Sequence, residues 1–436
     1  MNKILFKGGT LIDGKGGTPF VANVLVEGKK IVRIASKLEV KGAEERDISG
    51  KILCPGFIDL EAHICPKGRD VETSIERGTK AAVKGGFTTL CVMSDTEPVL
   101  DSQSMVTLIR ILGETKGLCH LIPSACATQG LQGEFMSEMA TLIAAGAGLI
   151  FDAGKTIPNA NVLRRVMEYS KIFDVPLFLH CEDASLASGG LMHEGFMSIQ
   201  LGLMGVPSVA EEIILARDLL LAEYTGVSIH IANVTTAGSL PLIREAKRKG
   251  LPVTCATTVH HLDLIDEDLK DFNTKLKIRP PLRSREDRKA LIQGVADRTI
   301  DAIVTDHTPC STHGKEMEFA EAPFGIIGLE TAFALLYERL CMKEKIPLEL
   351  VIQALTQGPA SILKRSIGLL EEGREADITL LDLHQKETVS SETLVSKELN
   401  TPYFGRTFTG GVLGTMVSGQ WKYKVNNKEG ELGKLL

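Results

Sequence analysis

The chain contains no apolar run approaching the roughly 18 residues that a membrane-spanning helix needs, so no membrane span is expected. Its opening, Met1-Asn-Lys-Ile-Leu-Phe-Lys-Gly-Gly, turns polar too early for a secretory leader, and a cytoplasmic protein is expected. There is no Cys-x-x-Cys pair. The nine cysteines are scattered and odd in number, which argues against a disulfide framework or a zinc ribbon. Most of them are expected to be small buried hydrophobes, with Cys65 and Cys310 set apart because they lie beside candidate site residues. A basic excess is also missing. A net charge of −6 and a pI near 6.0 tell against a nucleic-acid partner. No low-complexity segment or short-period repeat is visible.

What is present is ordinary globular material: 436 residues, 44% hydrophobic and 24% charged. That length accommodates two or three domains, or one large barrel with an addition. Residues 1–52 read as β-structure, with short alternating runs (Asn23-Val-Leu-Val-Glu, Lys30-Ile-Val-Arg-Ile) between glycine-rich turns. The stretch 368–436 reads the same way, through Ala376-Asp-Ile-Thr-Leu-Leu-Asp and Gly410-Gly-Val-Leu-Gly-Thr-Met-Val-Ser-Gly. Two β segments at opposite ends of a chain commonly pair into one small domain.

Residues 53–367 alternate strand and helix. Eight short apolar runs each end on a polar residue: Phe57-Ile58, Thr89–Met93, Leu121-Ile122, Leu149–Phe151, Leu177–Leu179, Ile229–Ala232, Val253–Ala256 and Ala302–Val304. Helical patterns such as 208–222 and 239–249 separate them, the first with Ser208 as the expected N-cap ahead of Glu211 and Glu212. Eight such units predict an α/β fold of (β/α)8 barrel type, with an open doubly wound sheet as the alternative. A barrel gathers its strand ends at one mouth, bringing together Glu61, His63, Asp95, Asp152, His180, Asn233, Arg279 and Asp306. Glu61 and His63 are two residues apart, the spacing that sends strand side chains to one face. Imidazoles and carboxylates at a barrel mouth suit zinc or a similar divalent ion. With a carboxylate as general base, such a site hydrolyses amides or esters. The apolar runs on their own are plain core in either fold.

The chain resembles dihydroorotase of the long bacterial type, within the cyclic amidohydrolases that include hydantoinases and allantoinases. The likeness runs over essentially the whole chain. It is carried by Pro55-Gly-Phe-Ile-Asp, Gly85-Gly-Phe-Thr-Thr, Leu179-His-Cys-Glu-Asp, Met192-His-Glu-Gly and Pro207-Ser-Val-Ala-Glu-Glu. It continues through His260-His-Leu, Pro280-Pro-Leu-Arg, Asp306-His-Thr-Pro and Ala322-Pro-Phe-Gly-Ile-Ile-Gly-Leu-Glu. The resemblance implies a metal-dependent hydrolase barrel with a β-sandwich built from both termini. It implies that His63 and His180 bind metal, and that Asp306 ligates metal and acts as general base. Asp152, in Phe-Asp-Ala-Gly, falls where the family carries a bridging acid.

Five positions depart from that pattern. Glu61 stands where a metal-binding histidine belongs, and so does Asn233. Cys65 stands in place of an arginine that grips a substrate carboxylate, a bidentate hold no thiol can make. Asp95 and Arg279 stand in place of substrate-binding asparagines. Arg279 puts a fixed positive charge near the metal position, and is expected to pair with Glu61, Asp152 or Asp306. His230, His260 and His261 are read as structural, Lys155 and Arg69 as solvated charges, and His313–Gly325 as the segment over the mouth. Two readings follow. One is a dihydroorotase-like protein of pyrimidine biosynthesis that is catalytically impaired and supports an assembly with aspartate transcarbamoylase. The alternative is an active hydrolase of small cyclic amides with a remodelled site, holding one zinc ion rather than two, or none. A homo-oligomer is expected in either case.

Overall fold

A computed structural model describes residues 3–65, 68–425 and 434–435 of the chain. All eight apolar runs form strands. In chain order they are Phe57–Ala62, Phe87–Val92, His120–Ala125, Leu149–Ile150, Leu177–His180, Ile229–Ala232, Val253–Thr258 and Ala302–Val304, and they lie side by side in that order. Every neighbouring pair is parallel. The first and eighth meet beyond their ends: Ala62 bridges His307 in parallel, and the His63 amide donates to the His307 carbonyl at 2.9 Å. The sheet therefore comes round on itself as a barrel, and the open-sheet alternative falls.

Nearly every strand residue is buried, because one face fills the barrel and the other packs under helices. One cluster draws Ile58, Cys91, Ile122, Leu149, Phe178, Ala232, Ala256 and Ala302, one from each strand, and fills the interior. Their neighbours in sequence, such as Phe57, Leu90, Ile150 and Ile303, belong to the larger cluster beneath the helices. Helix starts follow local chemistry. Asp70 accepts from the Thr73 amide at 2.7 Å to cap Val71–Lys84. Ser284 and Asp287 close a reciprocal capping box on Arg285–Ala296. Ser208 differs from expectation. It lies in helical conformation rather than the extended conformation of an N-cap, and its side chain makes no capping hydrogen bond.

Both termini build a second, nine-stranded sheet. Ile52–Pro55 joins its halves, running parallel to Lys3–Leu11 on one side and antiparallel to Ile378–Thr388 on the other. The Phe6 and Trp421 rings meet edge-on at 5.9 Å although their strands are far apart in the sheet order, so the sheet curls over its own core. Two hydroxyls tie sheet to barrel: Thr379 donates to the Gly86 carbonyl at 2.7 Å and Thr415 to that of Val83 at 2.5 Å. Gly86 has a φ of +90°, and a Cβ there would strike the Phe57 ring, so the turn into the second strand requires glycine.

Candidate active site at the barrel mouth

The mouth is built by residues at the carboxyl ends of the strands. Glu61, near the end of the first strand, is buried, and its Oε2 accepts from the Asn233 carboxamide at 2.9 Å. Burial first, and the neighbouring Asp306 next, hold the Glu61 carboxyl well above its ordinary value. His63 lies just past that strand, between two carboxylates. Its Nδ1 sits 2.9 Å from both Asp95 oxygens, and its Nε2 sits 3.3 Å from Asp306 Oδ1. Burial would depress this imidazole, but Asp95 and Asp306 outweigh it and hold the ring well above its ordinary value. An imidazole facing carboxylates at both nitrogens is a double donor, an imidazolium.

Asn233 and Asp306 follow the sixth and eighth strands with φ of +49° and +48°. Asparagine and aspartate enter this left-handed region more readily than other non-glycine residues, so these strand ends suit short polar side chains. His180 ends the fifth strand. Burial pushes its imidazole down, and its Nε2 has no hydrogen-bond partner among the described residues. The free oxygens of Glu61 (Oε1) and Asn233 (Oδ1) are likewise buried and unpartnered.

Two expected members are committed elsewhere. Asp152 accepts from the Ala127 amide at 2.7 Å, from the Thr128 amide at 3.0 Å and from the Thr128 hydroxyl. Both its oxygens accept from the loop after the third strand, which Asp152 anchors. Arg279 pairs with none of the three acids expected for it. It grips Glu182 instead, through Nε at 2.8 Å and Nη2 at 2.6 Å from Oε1. Glu182 follows His180 by two residues at the same strand end, and that spacing was the sequence signal for it. Cys65 is buried, and burial followed by the Asp95 charge pushes its thiol up to about 12, far from a reactive thiolate.

A buried frame surrounds the mouth. The Glu211 carboxylate accepts from the amides and hydroxyls of Thr235 and Thr236 and from the Ser239 hydroxyl, with the buried Arg283 guanidinium 3.8 Å away. This hub fixes the loop that carries Asn233. Asp59 accepts from the Thr305 amide at 3.1 Å and from its hydroxyl, tying the first strand to the eighth, and burial raises it to about 7. His261 bridges the Thr258 hydroxyl and the Pro281 carbonyl, and His230 packs 4.3 Å from the Phe178 ring; both are buried, structural residues. The segment over the mouth is held by Lys315, whose ammonium donates to the carbonyls of Thr274, Lys277 and Pro323. Arg69 bonds Glu398 rather than standing alone in solvent.

The donor set does not fit a two-ion centre. Both nitrogens of His63 face carboxylates, Asp152 is hydrogen-bonded to the Thr128 loop, and a carboxylate and a carboxamide are hydrogen-bonded to each other where the resemblance calls for two imidazoles. Among the described residues, the group whose ligand atoms lie within 4.8 Å of one another is His120, Glu375 and Asp377. It lies at the opposite end of the barrel, lining a cleft of about 540 Å³. Each member already has a protein partner: His120 with Asp377, and both acids with Ser418.

A parallel eight-stranded barrel with its polar residues gathered at one mouth, beside a sheet shared by both termini, defines an amidohydrolase-type fold. The amidohydrolase family model matches residues 52–422. A dihydroorotase from Pelotomaculum thermopropionicum is 41% identical over 419 residues, 96% of this chain and 98% of that one. A second dihydroorotase, from Caldanaerobacter subterraneus, is 40% identical over 98% of both chains. Among solved structures, an L-hydantoinase from Arthrobacter aurescens superimposes with a TM-score of 0.87 at 22% identity, covering 97% of this chain and 96% of its own. The dihydropyrimidinase from Brevibacillus agri gives 0.83, also at 22% identity, over 97% and 95%. The chain belongs to the amidohydrolase family and, within it, is dihydroorotase-like.

Proposed function

We propose that this dihydroorotase-like protein is catalytically impaired and serves pyrimidine biosynthesis as a cytoplasmic structural partner of aspartate transcarbamoylase. The observation that carries this reading is the 2.9 Å hydrogen bond from Asn233 to the buried Glu61. At two positions where the resemblance calls for metal-binding imidazoles, a carboxylate and a carboxamide are hydrogen-bonded to each other. His63 is clamped between Asp95 and Asp306 in the same way, as an internal cation that balances the acids of the mouth. A buried acid cluster needs such a counter-charge. Arg279 is held by Glu182, and Cys65 offers no grip for a substrate carboxylate. The frame, in contrast, is fully satisfied at Glu211, Asp59 and Asp152. A barrel that keeps its frame while its donors are exchanged suits a structural role.

A second reading is favoured by one observation. His180 Nε2 and Glu61 Oε1 are buried without partners, and with Asp306 they offer donors for a single divalent ion in a ring-amide hydrolase. Elemental analysis of the purified protein together with a dihydroorotate assay separates the two. The first reading expects no stoichiometric metal, no turnover, and co-elution with aspartate transcarbamoylase. Stoichiometric zinc with turnover overturns it.

A further inference from the structure

The cleft of about 540 Å³ at the far end of the barrel has the volume of a small-molecule site. It lies at the amino ends of the strands, against the second sheet, and shares no residue with the mouth. Its lining has two chemically different ends. At one, Arg365 lies against the bare backbone of Gly148: a Cβ there would fall 3.0 Å from Arg365 Nη2 and 2.3 Å from Ile122 Cγ2. The Arg365 side chain has no hydrogen bond or ion pair among the described residues. Arg110 packs over Gly146 in the same loop and pairs only with Glu114, an exposed contact one helical turn away that contributes little. Two guanidiniums therefore flank one short loop with donors to spare.

At the other end stand His120, Glu375 and Asp377. The Ser418 amide donates to Asp377 Oδ1 at 2.7 Å and its hydroxyl to Glu375 Oε1 at 2.5 Å, while His120 Nε2 sits 3.1 Å from Asp377 Oδ2. These contacts fix the carboxylates and leave Glu375 Oε2 without a donor among the described residues. This end accepts hydrogen bonds. The Lys29 ammonium acts on His120 from the same lining, so a divalent cation is repelled there while an uncharged hydroxyl is not. The two acids repel an oxyanion, so the anionic part of a ligand belongs at Arg365. The third strand sets the spacing between the ends. His120 and Ile122 are two residues apart on one face, roughly 7 Å along the strand. Guanidiniums suit a phosphate, and carboxylates that distance away suit hydroxyl donors. A small molecule with both groups at that separation is a sugar phosphate.

We propose that this cleft binds a sugar phosphate of pentose size, its phosphate on Arg365 and Arg110 and its hydroxyls on Glu375 and Asp377. The site is separate from the mouth, and the proposal holds whether or not the mouth is active. The test is isothermal titration calorimetry of the full chain with ribose 5-phosphate, inorganic phosphate and ribose as probes. Ribose 5-phosphate binds at one site per chain and more tightly than either fragment. Arg365→Gln weakens it by roughly 10-fold or more and leaves the circular dichroism spectrum unchanged, because the side chain is exposed. Arg365→Lys keeps the charge without the bidentate fork and recovers part of the loss. Glu375→Ala, also at an exposed position, weakens ribose 5-phosphate but not inorganic phosphate. Glu61→Gln, at the mouth, changes neither. No binding at millimolar probe, binding indifferent to Arg365→Gln, or inorganic phosphate bound as tightly as ribose 5-phosphate overturns the proposal.

Discussion

Glu61 and Asn233 show how two substitutions, each unremarkable alone, act as a pair. An acid buried at the mouth needs a donor, and a carboxamide needs an acceptor; at 2.9 Å each supplies the other. Restoring nitrogen donors at both positions tests the exchange directly. The double variant Glu61→His with Asn233→His is expected to retain about one zinc ion per chain through dialysis, in the geometry zinc prefers for imidazole. The parent is expected to retain none, and elemental analysis reads the difference. A parent that holds as much metal as the variant removes the basis for the impaired reading.

At the scale of elements, the mouth is set by loops that lock onto carboxylates rather than by the strands alone. Glu211 projects from the first turn of the helix Val209–Thr225 and takes up the donors of the following strand-end loop, where Asn233 sits. Glu211→Gln keeps the volume but turns one accepting oxygen into a donor that faces other donors, and it removes the charge opposing the buried Arg283. We expect a loss of about 3 kcal/mol of stability, measured by urea denaturation, with the helical signal retained at low denaturant. A loss below about 0.5 kcal/mol would show that the hub is not a fixed support. Sequence patterning placed this acid in a helical first turn, where it reads as a response to the helix dipole. Only the fold shows its oxygens turned to another segment.

For the whole molecule, burial of uncharged imidazoles makes one identifiable contribution to the response to acid. His230, His260 and His307 are each pushed down to about 3, in every case first by burial, and His261 to about 4. An unfolded imidazole binds its proton near 6.5. The folded state therefore holds fewer protons than the unfolded state between those values. The share of stability carried by these four imidazoles is present above pH 6.5 and is lost as pH falls from 6.5 toward 3. At pH 5.5 each fully buried histidine contributes a loss of about 1.4 kcal/mol. His230→Leu should lose about that much less than the parent between pH 7.5 and 5.5, measured by denaturation at each pH. Equal losses would show that His230 does not carry this linkage.

The sequence by itself determined the barrel, the two-ended sheet and the family. Those depend on repeated apolar runs that are buried on both faces, and on motifs whose order survives in the chain. It also named the residues that stand at the mouth, because a parallel barrel leaves its strand ends no other place. Tertiary structure alone decided what those residues do to one another. Arg279 chose Glu182 over Glu61, Asp152 and Asp306. Asp152 turned to Thr128, and His63 settled between Asp95 and Asp306. Such pairings rest on hydrogen-bond distances between segments tens to hundreds of residues apart. Side-chain type and spacing along the chain carry no record of those distances.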